Sequence, residues 1–139
     1  EAGLLYGSDA RDGRFAFFPH AGDKTFKTLQ IPSNLPTLDE LVGRPEFPDE
    51  NAITDFLLEK IKTSPHSMLT IHAELEGLRY AAWFEAFLTR AQEAGVSFFR
   101  CDDWARELLK APKKIPVCEL KMGALPGRSG RVAVQGESI

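Results

Sequence analysis

The chain has 139 residues, of which 43% are hydrophobic and 27% are charged, and its formal net charge is −3. This length supports one domain with a core of its own, and the composition excludes an intrinsically disordered chain. The acidic balance lacks the basic stripe that nucleic-acid binding requires, so we expect no nucleic-acid partner. The sequence also has no apolar run of the ~20 residues that a membrane-spanning helix needs.

The first part of the chain is predicted to form short strands followed by a helix start. An apolar run from Leu4 to Tyr6 indicates a short buried strand whose carboxyl end delivers Asp9. The segment from Lys27 to Pro32 indicates a second strand, which the proline ends. Thr37 is a predicted helix N-cap, because Glu40 follows three residues later in the pattern of a capping box.

Helices and strands are predicted to alternate in the middle of the chain. The predicted helices, from apolar residues at helical spacing, are Ala52 to Lys62, Leu78 to Ala94 and Asp102 to Lys110. The predicted strands are Met68 to His72 and Val96 to Phe99. A continuous apolar run that ends in polar residues suits a parallel strand covered on both faces. The alternation from Met68 onward therefore predicts right-handed βαβ units and a parallel sheet.

The end of the chain is predicted to form a hairpin. Two strands, Ile115 to Met122 and Arg131 to Gln135, flank a glycine-rich loop. We expect a single domain over 1–139, with a main part at 1–112 and a terminal hairpin appendage at 113–139.

The two cysteines, Cys101 and Cys118, lie far apart in the sequence and form no C-x-x-C pair. Their number alone would allow a disulfide, but free thiols in a reducing compartment are the favoured interpretation. We therefore expect neither cysteine to be bridged.

The strongest candidate site is the stretch TIHAELEG at 70–77. It places His72 at the carboxyl end of a predicted parallel strand, where α/β folds keep their active sites. A histidine there can donate or accept a proton near neutral pH. In the alternative interpretation, His72 satisfies a backbone group at the strand end, and Glu74 and Glu76 lie on a solvated turn. The spacing alone leaves both interpretations open.

A metal site built from this chain alone is disfavoured. His72, Glu74 and Glu76 alternate and could face one side of an extended segment, as zinc ligands do. However, His20 and His66 have no regular spacing to them, and no H-x-x-x-H pattern occurs. A serine hydrolase is equally disfavoured, because the sequence contains no G-x-S-x-G motif.

A second candidate site follows the first predicted strand. Asp9 and Arg11 stand two residues apart there, and such a pair can orient a partner or hold an anion through two hydrogen bonds. An aspartate that simply forms the turn leaving the strand is the favoured interpretation of this pattern by itself.

Four segments carry a resemblance to a known family. They are YGSDAR at 6–11, QIPSNLPTLDE at 30–40 with Gly43-Arg44 after it, TIHAELEG at 70–77, and AQEAGVSF at 91–98. Their order and spacing resemble the last part of the arabinose-lipid deformylases, which are NodB-like polysaccharide deacetylases. The resemblance implies an α/β fold: the carboxy-terminal half of a distorted (β/α) barrel, with parallel strands, helices and the terminal hairpin.

The resemblance also implies a reaction. The family hydrolyses an N-formyl or N-acetyl amide on an amino sugar, with a divalent metal such as zinc that polarises the carbonyl and activates water. By position, His72 matches the late-strand histidine that protonates the leaving amine. Asp9 matches the aspartate that orients this histidine or a nearby arginine. Arg11, Glu74 and Glu76 fall where the lipid-sugar members line the substrate pocket.

Departures from the family pattern limit what the chain can do alone. The early motifs that supply the metal ligands and the general base are absent, as is the arginine-containing middle motif. Asp12 also separates Arg11 from Gly13, which follow each other directly in the family. We therefore expect a segment of a longer enzyme that binds no metal and is inactive by itself. The alternatives are a non-catalytic remnant that binds a sugar or lipid phosphate, and an α/β domain of unrelated role.

The resemblance implies a location and partners as well. The expected substrate is an amino sugar carried on undecaprenyl phosphate, destined for bacterial lipopolysaccharide and lipid A. The expected location is the cytoplasm, at the cytoplasmic face of the inner membrane, with peripheral membrane contact. Half a barrel would leave unpaired strand edges and an apolar face, so we also expect self-association.

Overall fold

A computed structural model describes residues 3–139 of the chain and shows a mixed α/β architecture. The chain forms two compact units. The first comprises the residues up to Asn34 together with Phe99–Ile139, and the second is Leu35–Phe98. The predicted domain boundaries at 1–112 and 113–139 stay a prediction, as does the half-barrel.

The first unit contains the strands. They are β1 (Tyr6–Gly7), β2 (Phe18–Ala21), β3 (Lys24–Thr25), β4 (Leu29–Gln30), β5 (Val117–Gly123) and β6 (Val132–Ser138). β1 pairs in parallel with β4, and a second sheet has the strand order β3-β2-β5-β6. In that sheet only the β2–β5 pair is parallel. Both sheets are open, and within residues 3–139 neither closes into a barrel.

The antiparallel pair of β5 and β6 confirms the predicted terminal hairpin. The β5 strand also pairs with β2, so the hairpin is continuous with a larger sheet. Phe17 and Cys118, neither of them exposed, form the centre of a small core beneath it. Both cysteines are free, as predicted, and burial raises the pKa of the Cys118 thiol.

The helix of the first unit is α4 (Cys101–Leu108), close to its predicted range of 102–110. Ala105 is its fully buried residue. The Trp104 ring stacks on Phe99, with centroids 4.8 Å apart. Trp104 of α4 thus contacts Phe99, which lies two residues before the helix begins.

The second unit is helical. Its helices are α1 (Leu38–Leu41), α2 (Glu50–Thr63) and α3 (Ala81–Glu93), with a π-helix at Leu75–Arg79. Nine buried residues form its core: Leu35, Leu38, Leu41, Ile53, Leu57, Leu58, Trp83, Phe87 and Ala91. Ile53 and Leu57 share one face of α2, and Trp83, Phe87 and Ala91 share one face of α3, because each set has four-residue spacing. The predicted helix at 52–62 is thus confirmed.

A buried hydrogen bond fixes α3 against α2. The Trp83 indole Nε1–H donates to the Thr54 hydroxyl at 3.0 Å and to the Glu50 carbonyl at 3.2 Å. Thr54 is 3% exposed, so its hydroxyl has an internal partner where water is excluded. Phe87 stacks on Trp83 with centroids 5.6 Å apart, which extends the same contact along α3.

The hydrogen bond that caps the start of α2 is expected to stabilise the fold. The Asp49 carboxylate accepts a hydrogen bond from the Ala52 N–H at 2.9 Å and so caps the helix. We expect Asp49→Ala to lower the free energy of unfolding by about 1 kcal/mol, because an N–H loses its partner. Urea denaturation followed by circular dichroism measures this, with Glu59→Ala, on the exposed face of α2, as control. Equal stability of the two variants would contradict the capping role.

Two predicted strands are wrong. Met68 to His72 and Val96 to Phe99 are irregular segments, and the predicted parallel βαβ units from Met68 onward are therefore absent from residues 3–139. A strand exists only where a neighbour accepts and donates its backbone hydrogen bonds. Ile71 is 50% exposed, although its run was predicted to be covered on both faces, and Phe98, in the other predicted strand, is 57% exposed.

Two further boundaries differ from the prediction. The strand expected at 4–6 is found at Tyr6–Gly7, and Leu4 is 63% exposed rather than buried. The helix expected to begin at Leu78 begins at Ala81, because the residues before it form the π-helix. Along residues 3–139, none of the helices has the length and apolar character required to span a membrane.

Candidate active site

His72 lies in a tight turn that leads into the π-helix at Leu75–Arg79. Its carbonyl accepts hydrogen bonds from the N–H groups of Leu75 and Glu76, each at 3.0 Å. Its own N–H donates to the Glu76 carboxylate Oε2 at 2.8 Å. The turn is thus closed from both sides, much as a capping box closes a helix start. π-helical turns occur frequently at functional sites, and this one begins three residues after the candidate histidine.

The imidazole of His72 is oriented with one nitrogen inward. The side chain is 36% exposed, but its Nδ1 is buried and has no hydrogen-bond partner among the described residues. The Asp39 carboxylate Oδ1 lies 3.7 Å from Nδ1. This distance is within ion-pair range but too long for a hydrogen bond. Because Nδ1 is buried, the exposed part of this side chain lies elsewhere on the ring.

The sequence around α1 explains why Asp39 is available to His72. Leu38 and Leu41 are buried in the core, whereas Asp39, on the same turn, has a side chain that is 49% exposed. Glu40 is 2% exposed, and its carboxylate accepts a hydrogen bond from the Thr37 N–H at 3.0 Å. This bond confirms the predicted helix start at Thr37. It also occupies Glu40, which leaves Asp39 as the carboxylate beside the imidazole.

A backbone hydrogen bond links the two segments that carry these groups. The Leu35 N–H donates to the Met68 carbonyl at 3.1 Å. Leu35 is two residues before the N-cap of α1, and Met68 is four residues before His72. The pairing therefore brings the approach to α1 beside the approach to His72.

Glu76 and Glu74, both predicted to line a substrate pocket, have different environments. Glu76 is 3% exposed, and its second oxygen, Oε1, has no hydrogen-bond partner among residues 3–139. Glu74 is exposed. The predicted role in substrate binding is untested for both, and the geometry shows a contact with His72 for Glu76.

Asp9 and Arg11 lie in the first unit, after β1. The Gln30 side chain reaches Asp9, because β1 and β4 pair in parallel with Gly7 opposite Gln30. Its Oε1 accepts from the Asp9 N–H at 3.2 Å, and its Nε2 donates to the Asp9 Oδ2 at 3.3 Å. The Arg11 Nε donates to the Ser33 carbonyl at 3.2 Å. Asp9 itself is exposed, as a residue that acts on a ligand would be.

The residue that departs from the family pattern has a strained backbone. Asp12 has a φ of 51°, in the left-handed region that non-glycine residues adopt uncommonly. Gly13 follows, and a Cβ there would overlap the Pro32 ring, so only glycine fits. The backbone at Asp12 thus leads into a glycine that packs against Pro32.

The described residues do not fit a metal ion. No group of three or more histidine, cysteine, aspartate or glutamate side chains is placed to hold one in the described part of the chain. The His20 ring bonds to the Thr25 hydroxyl at 2.9 Å, and desolvation by burial lowers the pKa of His66.

Sequence reasoning identified His72 but missed Asp39 as its neighbour. The sequence indicated Asp39 only as part of a helix start, thirty-three positions before His72. The one available signal was that both residues lie in segments shared with the same family. For Glu76, no local pattern signalled the contact, because a capping box has a three-residue spacing and Glu76 follows His72 by four residues.

The chain is similar to curated proteins over nearly all of its length. It is 38% identical over 136 residues to a protein of Wigglesworthia glossinidia brevipalpis named "Probable 4-deoxy-4-formamido-L-arabinose-phosphoundecaprenol deformylase ArnD". That match covers 96% of this chain and 45% of the relative. A protein of the same name from Shewanella sediminis (strain HAW-EB3) is 35% identical over 96 residues, 69% of this chain and 30% of the relative.

No protein-family model matches the chain. The chain spans about half the length of the first of these relatives. This coverage is consistent with the carboxy-terminal half that the motifs indicated. The chain is thus similar, over almost all of its own length, to about half of an arabinose-lipid deformylase, which confirms the resemblance stated from its sequence.

Proposed function

We propose that this chain is one part of an amide hydrolase that removes a formyl group from a lipid-linked amino sugar. Its role is to supply His72 as the acid that protonates the leaving amine. The observation that carries this proposal is the orientation of His72, with Nδ1 buried beside the Asp39 carboxylate in a side chain that is 36% exposed. The similarity to proteins named as deformylases supports the substrate class.

Hydrolysis of the amide requires a proton donor near the leaving nitrogen, and we propose that His72 is this donor. Hydrolysis of a formamide adds water to the carbonyl carbon and breaks the carbon–nitrogen bond. The products are formate and the free amine, and the departing nitrogen must gain a proton as the bond breaks. A histidine whose one nitrogen is held by the protein can donate that proton from the other nitrogen when the ring is an imidazolium. We further propose that Asp9 orients His72 or a nearby arginine. Arg11 and Glu74 would bind the sugar or its phosphate.

The remaining groups of the reaction belong outside this chain. We assign the divalent metal and the general base to another part of the longer enzyme, because the described residues contain no cluster that fits a metal. The metal would polarise the formyl carbonyl and activate water. The 139-residue chain alone is accordingly inactive. The alternative substrate is an amino sugar that carries an N-acetyl group in place of the N-formyl group.

The exposure of apolar residues supports an incomplete barrel. Ile71, Leu78 and Phe98 of the second unit are 50%, 74% and 57% exposed. Ile71 and Phe98 lie in the two runs whose sequence suits buried parallel strands. A parallel strand needs neighbours on each side, and the rest of the longer enzyme would provide them. The complete enzyme would work at the cytoplasmic face of the inner membrane, where an undecaprenyl phosphate carrier presents the sugar.

Self-association of the isolated chain is expected for the same reason. Exposed apolar side chains and unpaired segments favour contact with a second copy when nothing else covers them. Light scattering coupled to size-exclusion chromatography should give a mass that rises above 15.5 kDa with concentration. The variant Ile71→Asp with Phe98→Asp should remain monomeric. A wild-type chain that is monomeric at every concentration would contradict the half-barrel.

The test of function uses the full gene product that contains this segment. The protein, purified with zinc or another divalent metal, should release formate from a formamido-arabinose carried on a polyprenyl phosphate. A chelator should abolish the release, and the 139-residue chain alone should release none. An acetamido analogue tests the alternative acyl group. Retained binding of the lipid-linked sugar without any hydrolysis would instead identify a non-catalytic binding protein.

A further inference from the structure

We infer that Asp39 and Glu76 are positioning residues for His72. Glu76 fixes the backbone of the histidine, and Asp39 holds its ring with Nδ1 protonated. Nε2 is thereby left to face the substrate. This inference rests on the proposed function for its catalytic meaning, but the geometry of the three residues can be tested without any activity. Neither residue has this role in the expectation drawn from the family, where Asp9 is the orienting aspartate.

The backbone part of the inference rests on Glu76. Its carboxylate accepts the His72 N–H at 2.8 Å from a site that is 3% exposed. A hydrogen bond to a charged acceptor is among the stronger ones in proteins, and burial strengthens it further. The two N–H groups that donate to the His72 carbonyl complete the restraint. The Cα of His72 is therefore held in place, and the direction of its side chain with it.

The ring part of the inference rests on the buried Nδ1. A buried polar atom without a partner destabilises the fold, so a hydrogen bond to Nδ1 would stabilise this orientation of the ring. The Asp39 Oδ1 is 3.7 Å away, and a small side-chain rotation would close this to a hydrogen bond. Because a carboxylate only accepts, the bond requires the proton on Nδ1. The partner of one ring nitrogen determines the state of the other, so neutral His72 keeps Nε2 unprotonated. His72 therefore acts as the acid in its imidazolium form, with one proton on Nδ1 toward Asp39 and the second on Nε2.

The support for Asp39 comes from α1. The neighbours Leu38 and Leu41 are anchored in the core at 1% and 0% exposure, so the helix turn that carries Asp39 cannot move freely. Glu40, the other acid of this turn, is engaged with the Thr37 N–H. A carboxylate on a rigid turn can orient the His72 ring, because the turn itself moves little.

Nuclear magnetic resonance of the 139-residue chain tests the ring contact directly. The two ring nitrogens of His72 have distinct ¹⁵N shifts that report which one carries the proton in the neutral form. We expect the Nδ1–H form to predominate in the wild type and the Nε2–H form in Asp39→Ala. The matched control is Asp55→Ala, which removes another surface aspartate that pairs with a cation, Arg90, and should leave His72 unchanged. A His72 tautomer that is the same in all three proteins would overturn the role of Asp39.

Hydrogen exchange tests the backbone contact. Glu76→Ala removes the acceptor of the His72 N–H, so exchange of that amide should accelerate about tenfold or more. Glu76→Gln keeps an acceptor oxygen on a side chain of the same length, so most of the exchange protection of the His72 amide should remain. Amides in α2 serve as the internal control for folding. If the His72 amide exchanges at its wild-type rate in a folded Glu76→Ala protein, Glu76 does not hold this backbone.

Activity of the complete enzyme separates this inference from the proposed function. Asp39→Ala should lower kcat about 10–100-fold with little change in KM, as loss of an orienting partner does. Asp39→Asn, which keeps an acceptor oxygen, should recover part of the lost rate. If the wild-type enzyme releases no formate, the proposed function fails, and the tautomer measurement still decides the contact. If the enzyme is active and Asp39→Ala has wild-type kcat, the inference fails and the function stands.

Discussion

Replacing His72 with alanine is expected to lower kcat of the complete enzyme by about 10²–10⁴-fold, the usual contribution of a general acid. The departing amine would then have to take its proton from water. KM should change much less, because the imidazole acts on the breaking bond rather than on the ground state of the substrate. Formate release measured under saturating substrate gives kcat directly.

The fold should survive the substitution at His72. The hydrogen bonds of this turn use the His72 N–H and carbonyl, which alanine retains. A matched control is His20→Ala, in β2 of the first unit, where the ring bonds to the Thr25 hydroxyl. This control should keep its wild-type rate. A His72→Ala enzyme with full kcat would remove the proposed acid from the mechanism.

Replacing Leu57 with alanine is expected to have the largest effect on stability. Leu57 has no exposed surface and lies among Trp83, Phe87 and other core residues of the second unit. The lost side chain and the cavity it leaves should lower the free energy of unfolding by about 2–5 kcal/mol. Because a domain is typically stable by only about 5–15 kcal/mol, this loss would be a large fraction of the total.

Urea denaturation followed by tryptophan fluorescence measures this loss, because Trp83 reports on the same core. The matched control is Leu78→Ala, since Leu78 is 74% exposed. Its free energy of unfolding should stay within about 0.5 kcal/mol of the wild type. Equal effects of the two leucine variants would mean that Leu57 is not in a packed core. The measurement is best made at low protein concentration, where self-association is weakest.

The helices of the chain were predictable because their hydrogen bonds are local. The apolar spacing of Ala52 to Lys62 indicated a helix, and α2 occupies Glu50–Thr63. The capping pattern at Thr37 and Glu40 likewise indicated the start of α1. A helix bonds within its own segment, so the residues of that segment carry most of the information about it.

Strands are different, because every ladder hydrogen bond involves a second segment. The runs from Met68 to His72 and from Val96 to Phe99 have the composition of buried strands, yet they are irregular. The terminal hairpin was predictable, since its two strands are close in sequence and β5 finds β6 directly. The parallel pairing of β2 with β5 joins segments about a hundred residues apart, and no local pattern indicated it.

By itself the sequence determined the main helices, the terminal hairpin and the free cysteines, and it singled out His72 as a candidate. Each depends on residue type, local spacing or a family motif. Only the tertiary structure decided what surrounds His72. The contact of Nδ1 with Asp39 joins residues thirty-three positions apart, and the burial of Glu76 depends on how its turn packs. Such contacts arise from the packing of buried side chains such as Leu38 and Leu41, which places neighbouring polar groups that no local pattern specifies.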